Sequence, residues 1–390
     1  MVAAAKLQDL QLLRQLLRCT AAAGNTLGST GHRAVLQCLA SCGRPVEALE
    51  WLQKRVPEQQ LTPQLVRALV QPLLRHRNVQ AAQQALDYAE SKVLQQWQQG
   101  LHTSQPAAAG AADAAAAAQH GVQAASGLSS AEAGRDVPQT LQHAVQELLS
   151  LRLMAAGATG QVDAVQEQWA AIKAQAAALQ QQQRQQEGAG QHSMQQDFLG
   201  VMVWAHYVLA LSKTAGNRSG QRHLPQQDKA IQWLLDAVWQ VFYKYHATAW
   251  SSYAAQQASA AVLQQGALHD AATLQHQQQW LAEQQQAAEQ RWQHCMQSRG
   301  QLSWQQLDAA AVLPQEVATA TRYQDWHFCK VAWQTAMDAA SRLRDGQRVQ
   351  QLLAVGSLLK LVPQEPDFEE LLQHSVRQGA PPEALEVGLV

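Results

Sequence analysis

Residues 38 to 52 read Cys-Leu-Ala-Ser-Cys-Gly-Arg-Pro-Val-Glu-Ala-Leu-Glu-Trp-Leu: the end of one helix, a glycine turn, and a second helix opening on an Ala-Leu pair. Upstream, His32, Val35, Leu36 and Leu39 fall at helical spacing and make an apolar stripe. Gly43 supplies the turn, and Pro45 sits near the start of the next helix, where its missing N–H costs little. Ala48, Leu49, Trp51 and Leu52 then face back onto the first helix. The stretch predicts one αα-hairpin. Thirty-four residues after Ala48 comes Ala82, followed by Ala85 and Leu86 and preceded by Val66, Leu69, Val70 and Leu73 in the same relative places. The turn there is Arg77-Asn78, with Asn78 suited to the left-handed conformation. Thr62 and Pro63 separate the two hairpins, since the residue before a proline is held out of the helical region. Hairpins repeating at this period predict an all-α chain, an α-solenoid of stacked helix-turn-helix units built to hold something long and thin.

On these residues the chain resembles the pentatricopeptide repeat family, whose units run helix, Gly turn, a second helix with an acidic-Ala-Leu opening, and a closing Pro-Asp. Leu39 to Leu52 carry the pattern most closely. Weaker copies lie at Gly160 to Trp169, at Ala215-Gly216 with Asp228 to Trp233, from Gly346 to Asp367, and at Gly379 with Glu383-Ala384-Leu385. The related tetratricopeptide repeats share the hairpin and much of its small-residue pattern. Residues 6 to 17 predict the second helix of a unit whose first helix is missing, as in a fragment. The resemblance implies a mitochondrial or chloroplast protein that binds RNA in processing, stability or translation. Lys6, Arg14 and Arg18 against Asp9 also match a transit peptide, although a repeat helix with a basic outer face accounts for the same residues.

Composition divides the chain further. Only 15% of residues are charged, and Gln and Ala fill the gap. Ser104 to Gly134 is Ala, Gly and Ser with almost no large side chain, so it predicts a disordered linker. Residues 174 to 197 and 254 to 311 are Gln-rich but carry Ala, Leu and spaced Trp, which favours long helices. The expected domains are N-terminal repeats at 1–100, a low-complexity linker at 101–136, degenerate repeats at 137–250, a Gln/Ala/Trp-rich helical insertion at 251–322 and C-terminal repeats at 323–390. Phe198 to Leu211 is the most apolar run, but fourteen residues are too few to cross a bilayer, so a buried helix is expected and no membrane partner.

Charge points to the N-terminal units. Residues 1–100 carry eleven basic and six acidic side chains, +5, which leaves −6 for the remainder. Since RNA affinity follows phosphate neutralisation, contact belongs in these repeats. In pentatricopeptide proteins a base is read by a side chain just inside the first helix and by the last residue of the unit. The resemblance places Arg33 and Arg67 at the first position and Gln64 at the second. These depart from the family's small polar pair and suit phosphate gripping or base stacking without sequence choice.

Of twelve tryptophans, nine lie from residue 204 onward. Trp51 and Trp233 each follow a unit's alanine by three and are expected as core plugs between the helices of a hairpin. Trp280, Trp292 and Trp304, twelve apart, make either an apolar stripe packed within the chain or a docking face for a partner protein. Five scattered cysteines indicate neither disulfides nor paired zinc ligands. Cys38 and Cys42 are expected in the core, and His327-Phe328-Cys329 lacks a second ligand pair. No phosphate loop, nucleophile elbow or acidic cluster is present, so the sequence predicts no catalytic residue, metal, cofactor or small-molecule substrate. Two functions remain: single-stranded RNA binding, or a tetratricopeptide-like scaffold such as a subunit of an organellar ribosome.

Overall fold

A computed structural model describes residues 1–103, 136–187, 199–215, 225–264 and 313–361, together with 279, 283, 286 and 290. Among the described residues all regular structure is helical, with no strand. The chain divides into two compact units, Met1–Ala155 and Ala156–Val390. The expected linker at 104–134, most of the insertion at 251–322, and the repeat signals at Gly216, Asp367 and Gly379 lie outside the described residues.

The first unit contains α1 (Val2–Leu7), α2 (Leu10–Ala22), α3 (Ser29–Ser41), α4 (Pro45–Arg55), α5 (Pro63–Arg75), α6 (Val79–Thr103) and most of α7 (Asp136–Ala158). The predicted stripe of α3 is buried at His32, Val35, Leu36 and Leu39, and Ala48, Leu49 and Leu52 of α4 close over it. Thr62 caps α5 by accepting from the Leu65 amide at 3.3 Å, and Pro63 occupies its first position. First helices pack on first helices, α1 on α3 and α3 on α5, while the second helices α4 and α6 meet in the same way. Several bonds tie residues 34 apart: the Cys38 thiol to the Ala4 carbonyl at 3.8 Å, the Cys42 thiol to the Gln8 carbonyl at 3.2 Å, and Lys92 to Glu58. The Cys42 thiol thereby serves the Gln8 carbonyl just past the end of α1, and the Cys38 thiol adds a second, longer bond to the Ala4 carbonyl, which the turn already uses.

Four turns in this unit share one backbone geometry, among them that at Gly24 (φ 66°), where the Asn25 amide reaches the Thr20 carbonyl at 3.1 Å. Gln8, Gly43 and Arg77 are left-handed at φ 53°, 69° and 60°. In each turn the next amide reaches back five residues: Asp9 to the Ala4 carbonyl at 3.0 Å, Arg44 to Leu39 at 2.9 Å, Asn78 to Leu73 at 2.8 Å. Two expectations are corrected here. Arg77, not Asn78, adopts the left-handed conformation, because Asn78 is already the residue whose carbonyl opens α6, accepting from Ala82 at 3.1 Å. The helix expected from residue 6 begins at Leu10, where the Asp9 carboxylate accepts from the Gln11 and Leu12 amides, and α1 stands in the place of the first helix expected to be missing. Arg77→Gly is expected to stabilise the unit by about 0.5–1 kcal/mol, seen as a higher denaturant midpoint at unchanged slope.

The second unit contains α8 (Val162–Glu187), α9 (Val201–Thr214), α10 (Pro225–Gln264), α11 (Gln315–Ala320), α12 (Tyr323–Arg342) and α13 (Gly346–Leu358). The apolar run expected as a buried helix is α9, which packs against α8, α10 and α12. The last turn of α7 approaches it so closely that a Cβ on Gly157 would lie 2.8 Å from the Ala210 Cα. The Gln-rich tracts are helical as far as they are described, to Glu187 in α8 and to Gln264 in α10. No helix among the described residues is long and apolar enough to cross a membrane.

In the last described hairpin the left-handed residue is Arg344, at φ 56°, and Gly346, expected as the turn, is the first residue of α13. Asp345 caps that helix by accepting from the Arg348 amide at 3.1 Å. The expected plugs are also reassigned. Trp51 and Trp233 are half-buried, the latter beneath Lys229 Nζ at 4.5 Å, whereas Trp169 and Trp333 are the buried indoles among the described residues. Trp169 stacks on Tyr207 with centroids 4.3 Å apart, and Trp333 inserts between α12 and α13.

Candidate functional site

Burial of one face of α3 and α5 leaves matching polar faces on two helices that lie side by side. Thr30, Arg33 and Gln37 are exposed on α3. Thirty-four residues later, α5 presents Gln64, Arg67 and Gln71, the first exposed and the others half-buried. The spacing of three and four residues keeps each trio on one side of its helix. Arginine therefore recurs at one level of the pair and glutamine at another, with no apolar side chain among the six.

The two arginines are in different states. Arg33 is exposed and makes no ion pair among the described residues. The Arg67 guanidinium reaches Glu147 on α7, Nη2 to Oε1 at 3.5 Å, with side-chain exposures of 35% and 12%. Its Nε is buried without a partner. Glu147 thus orients Arg67 and partly neutralises it, so an incoming phosphate would share the guanidinium with a carboxylate. A second cross-link holds α7 to α6: Arg152 donates to Asp87 at 2.6 Å and to Glu90. The stripe ends at α7, where Glu147 stands in the register of Gln64 and the buried Ser150 in that of Arg67, counted back from the turn.

A cleft of about 440 Å³ lies on another side of the unit, between α2, α3 and α4. Leu13, Val35, Leu39 and Trp51 line it, with Arg14 and Lys54 against Glu47 and Glu50 at its rim. Two ion pairs lie there, Arg14 with Glu47 at 3.6 Å and Lys54 with Glu50 at 3.8 Å, and Arg55 leaves the lining one positive charge in excess. Trp51 is fixed by donating its indole N–H to His32 Nδ1 at 3.2 Å, which places the ring proton of neutral His32 on Nε2. Burial lowers the His32 pKa, against a backbone hydrogen bond with Leu27 that raises it. The neutral ring that the indole requires is therefore the favoured one.

Two of the cysteines, Cys38 and Cys329, are buried and held as thiols. Burial, with Cys42 beside it, pushes the Cys38 thiol up to about 11, and burial raises Cys329 well above the ordinary range. Cys329 is enclosed whereas His327 is exposed, so the two do not converge on one ligand position. Among the described residues no group of three His, Cys, Asp or Glu side chains is placed to hold a metal ion. Trp280, Trp292 and Trp304 lie outside the described residues.

Glu147 is the residue that sequence reasoning missed. It lies 80 positions from Arg67, across the low-complexity tract, and only counting thirteen residues back from Gly160 would have put it on the same face as Gln64. Compared with known proteins, the chain matches no family model, no curated protein and no solved structure.

Proposed function

We propose that this chain is an α-solenoid of pentatricopeptide-like hairpins that binds single-stranded RNA in a mitochondrion or chloroplast and acts in its processing, stability or translation without chemistry of its own. The observation that carries the reading is the recurring Arg and Gln stripe of α3 and α5. Guanidinium groups suit phosphate oxygens, and glutamine amides offer a donor and an acceptor to a base edge. Such a stripe fits a polyanion with hydrogen-bonding edges better than an apolar peptide. The first hundred residues carry the matching charge, +5.

The test is crosslinking and sequencing of RNA bound to the chain in organelles, followed by titration of the recovered fragment with purified variants. Arg33→Ala/Arg67→Ala is expected to weaken binding about tenfold and to flatten the log–log salt dependence by about 1.4, two phosphate contacts' worth. Glu147→Gln is expected to tighten binding about threefold, because it removes the carboxylate that competes for Arg67. Recovery of a stable protein assembly with no crosslinked RNA would overturn this reading. It would favour the scaffold alternative, for which the Trp51 cleft, apolar within and bordered by ion pairs, is the specific support.

A further inference from the structure

The start of α12 exposes rings that its own packing does not use. Tyr323 is 74% exposed, a large apolar group left in solvent at the first position of the helix. Trp326 and His327 follow at the spacings that bring them onto the same side. The Tyr323 and His327 planes lie within 22° of each other with centroids 6.1 Å apart, and Tyr323 and Trp326 within 32° at 5.8 Å. The assembly is fixed from below: the Trp326 indole N–H donates to the Lys360 carbonyl at 3.2 Å, and Lys330 Nζ sits 5.0 Å from the Trp326 ring centroid. Three basic residues lie near it in the fold, Arg322 just before the helix, Lys330 one turn on, and the exposed Lys360, whose backbone carbonyl holds Trp326. The acidic group of this turn, Asp325, is half-buried, and its charge also acts on Tyr245 and Cys329 in the interior.

We propose that Tyr323 and His327, backed by Trp326, form a stacking platform for the bases of single-stranded RNA, with Arg322, Lys330 and Lys360 drawing the phosphates. This assignment rests on the RNA-binding reading and adds a second contact, in the second unit, that discriminates bases from mere polyanions. Near-parallel rings facing solvent match the flat faces of bases, and cations at the border complement the backbone. A partner protein would be anchored by an aromatic in a dry pocket. Here the rings stand on an open surface.

The full-length protein is titrated with a short fluorescein-labelled single-stranded RNA of random sequence, at several salt concentrations. Tyr323→Ala/His327→Ala is expected to weaken binding about tenfold while leaving the salt slope unchanged, since stacking releases no counterions. Tyr323→Phe keeps the ring and is expected to bind like wild type. Arg322→Ala/Lys330→Ala is expected to lower the slope instead. Should the double alanine variant melt early, Tyr323→Ala alone, a change at an exposed position, decides the matter. Wild-type affinity in the ring variants, alongside weakened binding by Arg33→Ala/Arg67→Ala, overturns the platform and leaves RNA binding standing. Failure of the wild-type chain to bind the RNA at all overturns both.

Discussion

Trp333→Ala is expected to destabilise the second unit by about 3–5 kcal/mol, the range for truncating a fully buried indole. Trp333 is 0% exposed. Its Nε1 donates to the Leu352 carbonyl at 2.6 Å, so the ring both fills the space between α12 and α13 and fixes their register. The fit is tight one turn further along the same helix: a Cβ on Gly356 would lie 2.7 Å from the Trp333 Cε2 and Nε1. Gly356→Ala therefore forces the indole or the helix to shift and is expected to cost about 1–3 kcal/mol. The two changes share one space, so Trp333→Leu/Gly356→Ala is expected to be less damaging than the sum of its parts. Denaturant midpoints, with hydrogen exchange of α12 and α13 peptides, measure this. A loss below about 1 kcal/mol for Trp333→Ala would mean that the indole is not the wedge described.

The same wedge position occurs in the first unit, with the roles exchanged. Trp333 lies eleven residues before the left-handed Arg344, and Leu352 eight residues after it. His32 and Trp51 stand eleven before and eight after the left-handed Gly43. In one hairpin the indole comes from the first helix and in the other from the second, yet in both its N–H crosses to the partner helix. The common frame is the turn, not the identity of the residues that flank it.

That explains what the sequence made legible. The hairpin around residues 38 to 52 could be read because its turn is a glycine, its second helix opens at a proline, and its stripe is apolar at helical spacing. The turns at Gln8, Arg77 and Arg344 could not be placed to the residue. None is glycine or asparagine, and the strain of a left-handed side chain, about 1–2 kcal/mol, is offset by the two backbone bonds that close each turn. Tryptophan depth was misread for a related reason: the spacing from an alanine fixes which side of a helix a residue occupies, but not how far the neighbouring helix covers it. Trp51 and Trp233 are left half-covered while Trp169 is enclosed. The Arg67 to Glu147 pair had no local signature, because helix neighbours in space were separated by a long low-complexity tract in the chain.

Acid is expected to weaken the second unit well before its carboxylates titrate. His246 on α10 is 2% exposed, and burial lowers its pKa from 6.5 to about 4. The folded chain therefore holds the ring neutral in a range where the unfolded chain takes up a proton. The stabilisation is fully present above pH 6.5, falls as pH drops through the window between 6.5 and 4, and is exhausted below the folded pKa. The full difference amounts to about 3 kcal/mol, and about 2 kcal/mol of it is lost by pH 5, before most carboxylates protonate. His32 in the first unit is shifted in the same direction, so a global melting curve would mix the two. Hydrogen exchange of α10 peptides separates them. Protection there is expected to fall between pH 6.5 and 5 in the wild type after correction for intrinsic exchange, to stay level in His246→Gln, and to be unaffected by His32→Gln. An equal fall in His246→Gln would assign the acid sensitivity to a different group and remove His246 as its cause.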